Sequence, residues 1–531
     1  MTTARKFIKH IFGGGWATDF GPNANVEVSR NGEAIVPFMV DAENCIFELD
    51  GGPHKVGGAS KVNSSALESG ADIRGIYDMW ISGSGGSSTQ HRILYVNTKL
   101  KKDDLGDGSF SDIKTGLEAD KVASFNMFED KVIWASTSSS DVPQSWDGST
   151  MQNLAGSPPN FAFSTNHKNR VWAAGVVANP SRLYYCNYLD EEDWTGSGSG
   201  HIDIDPSDGD RITGLISHRG ELWVFKGPYK GSIHRIAGSA PTGSDPFRRS
   251  PFVSGVGAVA HNAIFEFRND VGFLWNDGTV RSLSATADFG DFKSSALTVP
   301  INTWLEDHVN FSVLTEAQVA VNDTRGYALI TLPIDSSTTN NVILMMNYNF
   351  SPVRWAKWTA FDSISLASVV DPGNSSKTII MAGGGDGFVR KMGEADRSVD
   401  GTSAITITGT TPFLDYGDPI ANKMIMVGSL GVAPKNSGNI TFGWQRDNNA
   451  QQTVAISQGG SDVLGTASSG QFTLGTSTLG GSRFVDRFYE LEEGGEFRAI
   501  QYSFTNAVNY EDVEVHSIGA AIHGSSWSTE N

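Results

Sequence analysis

The most acidic cluster in the chain is Asp203-Ile204-Asp205-Pro206-Ser207-Asp208-Gly209-Asp210. Carboxylates this dense can ligate a hard cation or move protons. An EF-hand-type loop needs oxygen ligands at positions 1, 3 and 5, glycine at 6 and glutamate at 12. Counted from Asp203, position 6 is Asp208 and position 12 is Gly214, so the ligand spacing fails. The cluster therefore reads as a solvated turn, with a looser Ca²⁺ site as the alternative. Lys102-Asp103-Asp104-Leu105-Gly106-Asp107-Gly108 reads the same way.

Other chemistries find no complete set. The 11 histidines are scattered, without HExxH, HxH or a Cys/His pair at ligand spacing. The glycine runs Gly196-Ser197-Gly198-Ser199-Gly200 and Ser82-Gly83-Ser84-Gly85-Gly86 lack the Lys-Ser/Thr and the helix that a phosphate loop requires. They read as mobile loops. There is no GxSxG, and no Ser/His/Asp set can be assembled. Ser145-Trp146-Asp147-Gly148 is only a fragment of a sialidase-type Asp box. A glycosidase needs two carboxylates across the scissile bond, and Asp and Glu are too numerous here to choose a pair. The sequence thus nominates no catalytic, cofactor-binding or metal-binding residue and implies no cofactor.

The elements that would position any site are short strands. His201–Gly238 illustrates the pattern. Ile202 and Ile204 alternate with polar residues, and Ile212, Leu215 and Ile216 begin a further strand. Leu222-Trp223-Val224-Phe225 is a buried run, and Ser232–Ile236 closes the unit. Pro206–Gly209, Arg219-Gly220 and Gly227-Pro228 supply the turns. Four short strands with tight turns are the plan of one propeller blade. One inner strand of each such unit aligns near positions 46, 94, 133, 172, 223, 273, 328 and 379. That spacing lies near the propeller range. The expectation is an all-β chain containing an irregular β-propeller of six to eight blades over 31–399. An N-terminal arm, 1–30, precedes it as an extended leader packed on a body. Residues 285–315 fit the pattern least and suggest a short helix or an excursion. From 400 to 531 the style changes to cleanly alternating strands, such as Ser403–Thr408 and Phe497–Phe504, divided by long Gly/Ser/Thr loops. This reads as a separate β-sandwich-like domain.

Composition sets further bounds. Charged residues are 19% and hydrophobic residues 39% of 531, with 60 glycines and 29 phenylalanines, which fits a globular β-protein. The formal net charge of −19 argues against holding nucleic acid by phosphate neutralisation. It would suit a surface past which DNA must slide. Cys45 and Cys186 sit among apolar or aromatic neighbours and read as buried thiols of a chain made in a reducing cytoplasm. No signal peptide is recognisable, and no run of about 18 apolar residues would insert in a membrane.

In order and style the chain resembles the tail-hub or nozzle proteins of short-tailed bacteriophages. The resemblance is carried by Gly21-Pro22-Asn23-Ala24-Asn25 in the arm and by Arg182-Leu183-Tyr184-Tyr185 with Leu189–Trp194. Asp208–Leu215 and Glu221–Lys226 continue it. It is best over 120–300. It implies a virion component, synthesised in the host cytoplasm, that forms a homo-oligomeric, hexameric ring below the portal and adaptor proteins. Such a ring lines the DNA ejection channel, with transient non-specific passage of DNA, and anchors fibre or spike proteins. The competing expectation is a carbohydrate-binding or glycosidase-like β-propeller.

Overall fold

The computed structural model describes residues 6–12, 14–19, 38–47, 52–82, 88–104, 106–285, 296–371, 374–416, 419–433, 438–447, 449–458, 485–490 and 495–524. The chain forms two compact units. One comprises 61–344 and 362–392; the other comprises 1–60, 345–361 and 393–531. This division is cut differently from the sequence boundaries at 30 and 399, because the chain leaves the first unit at Met345 and returns at Asp362.

The first unit is a closed seven-bladed β-propeller. Blade I holds Ile73–Ser82, Ser88–Val96, Lys99–Asp103 and Ser111–Thr115. Blade II holds Ala123–Phe128, Lys131–Ser136, Gln144–Trp146 and Met151–Asn153. Blade III holds Phe163–His167, Arg170–Ala174, Arg182–Tyr185 and Gly200–Asp203. Blade IV holds Arg211–His218, Glu221–Gly227, Ser232–Ala237 and Arg248–Ser254. Blade V starts with Ile264–Phe267, Asp270–Leu274 and Val280–Ser282. Blade VI starts with Gln318–Asn322 and Tyr327–Leu332, and blade VII with Ser365–Asp371, Asn374–Gly383 and Val389–Glu394. The first strand of each blade lies beside the first strand of the next, and that of blade VII lies beside that of blade I.

The second strands carry the fold energetically. Arg170–Ala174 is buried throughout, and Glu221–Gly227 nearly so, because a middle strand is covered on both faces by neighbouring blades. Trp172 and Tyr185 of blade III pack with Ile212, Leu215, Leu222 and Val224 of blade IV. Trp134 and Trp146 of blade II pack with Met79, Ile93 and Tyr95 of blade I. Each fully buried aliphatic side chain in such a seam contributes roughly 1.5–3 kcal/mol before conformational entropy is counted. Tight hairpins join the first two strands of blades III, IV and V. Their two turn residues, Lys168-Asn169, Arg219-Gly220 and Arg268-Asn269, all have positive φ, the conformation that matches strand twist.

A second turn recurs as Asp-Gly. Asp107, Asp147, Asp277 and Asp386 each accept a backbone N–H two residues on, at 2.9, 2.9, 3.0 and 3.2 Å. The intervening glycines have φ of 82°, 93°, 77° and 77°. The Asp carboxylate mimics a backbone turn and the glycine accepts the left-handed backbone. Asp147, the Asp-box fragment, is one member of this structural series.

The ring is closed by the chain that enters it. Val62 donates its N–H to the Val389 carbonyl at 2.8 Å. Asn63, 2% exposed, donates its side-chain amide to Gly387 O at 2.9 Å and accepts from Val389 N–H at 2.8 Å. Asn63→Ala is expected to cost about 2–3 kcal/mol, since buried partners are left unsatisfied. Hydrogen exchange checks this: amides of Val389–Glu394 should lose protection before those of blade III. Equal protection in both would show that Asn63 does not latch the ring.

Two expectations shift, and the one for 285–315 holds. Seven of the eight aligned positions are the second strands of the seven blades, whereas the one near 46 lies in Cys45–Phe47 of the other unit. His201–Gly238 is not one blade: Gly200–Asp203 closes blade III, and blade IV runs to Ser254. Ile202 and Ile204 alternate as any half-buried strand does, so periodicity alone could not assign them to a blade. In 285–315 a helix is present, Asn302–His308, flanked by short 3₁₀ turns, while 286–295 lie outside the described residues.

The other unit is a sandwich of two sheets. One sheet runs Lys6–Ile11, Val515–Gly524, Lys423–Val432, Val485–Glu490. The second includes, in order, Arg354–Trp358, Asp41–Glu43, Ile407–Thr410, Ile500–Asn506, Asn439–Arg446 and Gln452–Ser457. Tyr489 from the first sheet lies 4.5 Å from the Phe442 ring of the second. The described part of the arm is extended and belongs to this unit. Lys6–Ile11 pairs in register with Ser517–Ile522 and completes a sheet. Gly21–Asn25 lie outside the described residues.

Candidate functional site

The acidic turn is built from the inside. Lys226, on the second strand of blade IV, is 0% exposed. Its Nζ donates to the carbonyls of Ile204 and Asp205, at 2.7 and 2.9 Å, and to Asp208 Oδ2 at 2.6 Å. Asp210 is 5% exposed and accepts N–H groups from Tyr229, Lys230 and Gly231 at 2.8–2.9 Å. Asp203 receives a two-pronged bond from Arg182, and Asp205 pairs with Arg249. Asp203 and Asp205 are held below the usual carboxylate range chiefly by these guanidinium bonds. The segment is thus an anchored loop and only partly an exposed rim: Pro206, Ser207 and Gly209 face solvent.

The second acidic turn behaves alike. Asp103, 1% exposed, accepts from the N–H groups of Gly106 and Gly108. Asp104 meets His91 Nδ1 at 2.6 Å and Lys102 at 2.6 Å. The loop Gly196–Gly200 is shaped by Asp193, which accepts from Thr195 and Gly196 N–H. Gly83–Gly86 lie outside the described residues. Among the described residues no group of three or more His, Cys, Asp and Glu is placed to hold a metal ion. Cys45 and Cys186 are buried and unpaired with each other, and burial pushes both thiols up, Cys186 to about 11. They are poor nucleophiles at neutral pH.

The concave site that sequence reading missed lies on the propeller axis. First strands of several blades line a cavity of about 650 Å³ at the hairpin end of the ring. Asn126, Asn166, Ser217, Glu266, Asp323 and Ser368 give it a polar wall, and no Lys or Arg among the described residues lines it. Asn126 donates to Asn166 Oδ1 at 2.7 Å, which fixes the orientation of both amides. Ser368 Oγ bonds both the N–H and the carbonyl of Val321, each at 2.8 Å. His218 Nδ1 meets Glu266 Oε1 at 2.7 Å. A signal did exist: Asn166, Ser217 and Glu266 each stand two residues before the positive-φ turn of blades III, IV and V. It becomes visible only once those turns are aligned.

The opposite end of the axis is spanned by protein. Asn262, in the connection entering blade V, donates to the Ala123 carbonyl of blade II at 2.9 Å. His261 stacks on Phe163 with centroids 4.8 Å apart and accepts from Leu215 N–H at 3.3 Å. A smaller cavity of about 260 Å³ opens here beside Glu316 and Arg211. Arg74, 8% exposed, donates to Glu316 Oε2 at 2.8 Å and to Asp72 at 3.0 Å. Burial raises the Glu316 carboxyl above its ordinary range despite Arg74.

Fold and cavity together define a closed β-propeller joined in sequence to a β-sandwich unit, with a polar, carboxylate-bearing axial cup. No family model and no curated protein matches the chain. Solved structures with some likeness include YCF48 bound to D1 peptide, at 10% identity and a TM-score of 0.37, covering 64% of this chain and 95% of that one. BBS1N in complex with ARL6DN has 10% identity and a TM-score of 0.41, covering 64% and 96%. An exo-beta-1,3-galactanase from Phanerochaete chrysosporium has 9% identity and a TM-score of 0.27, covering 88% and 100%. At these scores the likenesses carry no functional argument.

Proposed function

We propose that the chain is a structural virion protein: a tail hub or nozzle subunit that assembles with copies of itself into a ring below a portal–adaptor complex. The observation that carries this reading is the use made of the acidic turn. Asp203, Asp205, Asp208 and Asp210 are all engaged by groups of the same unit, so the most chemically suggestive stretch works as bracing. The resemblance over 120–300 falls on blades II–V, where this bracing sits. The net charge of −19 supports a lumen that repels phosphates and keeps DNA mobile. Fibre or spike proteins would dock on its outer surfaces, and the assembled protein would reside in the virion tail.

Light scattering after size exclusion, followed by negative-stain imaging of the purified chain, tests this. A hexameric ring is the expected result. A stable monomer that binds or cleaves an oligosaccharide would overturn it. The second reading, a carbohydrate-binding or glycosidase-like propeller, is favoured by one observation: Glu266 and Asp323 line the same axial cavity. Two carboxylates around one site are the inventory glycoside hydrolysis needs. Under that reading Glu266→Gln should abolish whatever cleavage a screen of oligosaccharides finds with the wild type.

A further inference from the structure

We propose that the axial cavity of the propeller is a binding site for a small organic ammonium ion, an alkyl diamine or polyamine or the side chain of a lysine. The inference does not rest on the tail reading. A volume of about 650 Å³ is in the range of pockets that take small organic molecules and far exceeds a bare ion. The wall is rich in acceptors. Glu266 and Asp323 bring carboxylates, Asn126, Asn166, Ser217 and Ser368 bring amide and hydroxyl oxygens, and among the described residues no basic side chain lines the cavity. Anions are thereby disfavoured. A divalent metal is disfavoured too, because among the described residues no cluster of three or more ligating groups is placed to hold one.

The wall is also preorganised. Asn166 Oδ1 accepts from the Asn126 amide and its own amide nitrogen is held by the Met127 carbonyl, so both wall amides are fixed in orientation. His218 fixes one oxygen of Glu266 and leaves the second to reach a guest. The far end of the axis is bridged by Asn262 and Ala123, so a guest enters from the hairpin end. An ammonium group supplies up to three donors to such a ring of acceptors, and its alkyl stem fits against Ile216, Ile264 and Val369.

The test is calorimetric titration of the full chain with spermidine and with octanediamine, using octanediol as the neutral isostere. Saturable one-site binding of the amines and none of the diol is expected. Glu266→Gln with Asp323→Asn should weaken the amines at least tenfold. A charge-matched pair on the exposed face of the 302–308 helix, Glu306→Gln with Asp307→Asn, should leave them within twofold. Equal weakening by both pairs would expose simple counterion condensation on an acidic protein and overturn the proposal. So would diol binding as strong as diamine binding in the wild type, a comparison that needs no variant. N-acetyl-lysinamide distinguishes the source: tighter binding than spermidine assigns the cup to a partner's lysine, weaker binding to a free polyamine.

Discussion

Lys226→Met is expected to destabilise the propeller by about 3–5 kcal/mol, the cost of breaking a buried charged network from one side. The methionine fills much of the space but leaves the carbonyls of Ile204 and Asp205 and one oxygen of Asp208 without their shared donor. The ammonium joins blades III and IV at the turn between them, so the loss should spread across that seam and into the cluster around Trp172 and Leu222. Because the chain has two compact units, a single unfolding midpoint is not the right measure. Native-state hydrogen exchange at Leu222–Phe225 reads the seam directly. A change below about 1 kcal/mol there would show that the turn stands without its cation. Lys226→Arg, longer and planar, is expected to rescue little, since three acceptors converge on one point.

Acidification is expected to unfold the propeller before carboxylate protonation is complete. His167 and His261 are held neutral in the fold, their pKa values pushed down by burial from the ordinary 6.5 to about 4. His167 Nδ1 meets Ser217 Oγ at 2.9 Å, and its Nε2 is buried without a partner. As pH falls through 6.5 the unfolded chain takes up protons that the fold refuses. Stability from these groups is whole above 6.5 and drains between 6.5 and 4. The loss approaches on the order of 3 kcal/mol for each imidazole at the acid end. Glu316 and Asp362 act in the opposite sense. Burial raises both carboxyls, so the fold binds their protons more tightly and they offset part of the loss as pH falls. Urea midpoints measured from pH 7.5 to 4 check the balance. His261→Gln, which keeps an acceptor for Leu215 N–H, should flatten the limb, and an unchanged slope would remove His261 from the account.

Much of the architecture was legible residue by residue. Leu94, Ile133, Trp172, Trp223, Phe273, Ala328 and Ile379 mark the seven second strands because a strand covered on both faces must be apolar on both faces. Asp-Gly and positive-φ pairs mark the turns because few residues accept that backbone. The separate character of the chain after 400 was legible from its cleaner alternation, which a sandwich strand with one wet face requires.

The rest depends on contacts between residues far apart in sequence. Position 46 looks like any other strand, and only its pairing with Pro53–Lys55 takes it out of the blade series. The arm's strand is recognisable only through its partner, Ser517–Ile522. The turn 203–210 shows four acids in sequence, but whether they await a cation from solvent or already hold one is decided by Lys226, Arg182 and Arg249, which folding brings to them. The axial cup is the extreme case. Asn126, Asn166, Ser217, Glu266, Asp323 and Ser368 come from six blades, and none is near another of chemical interest along the chain. Local sequence dictates strands and turns because those follow from short-range sterics and burial. A site made by closing a ring exists only after the last blade meets the first.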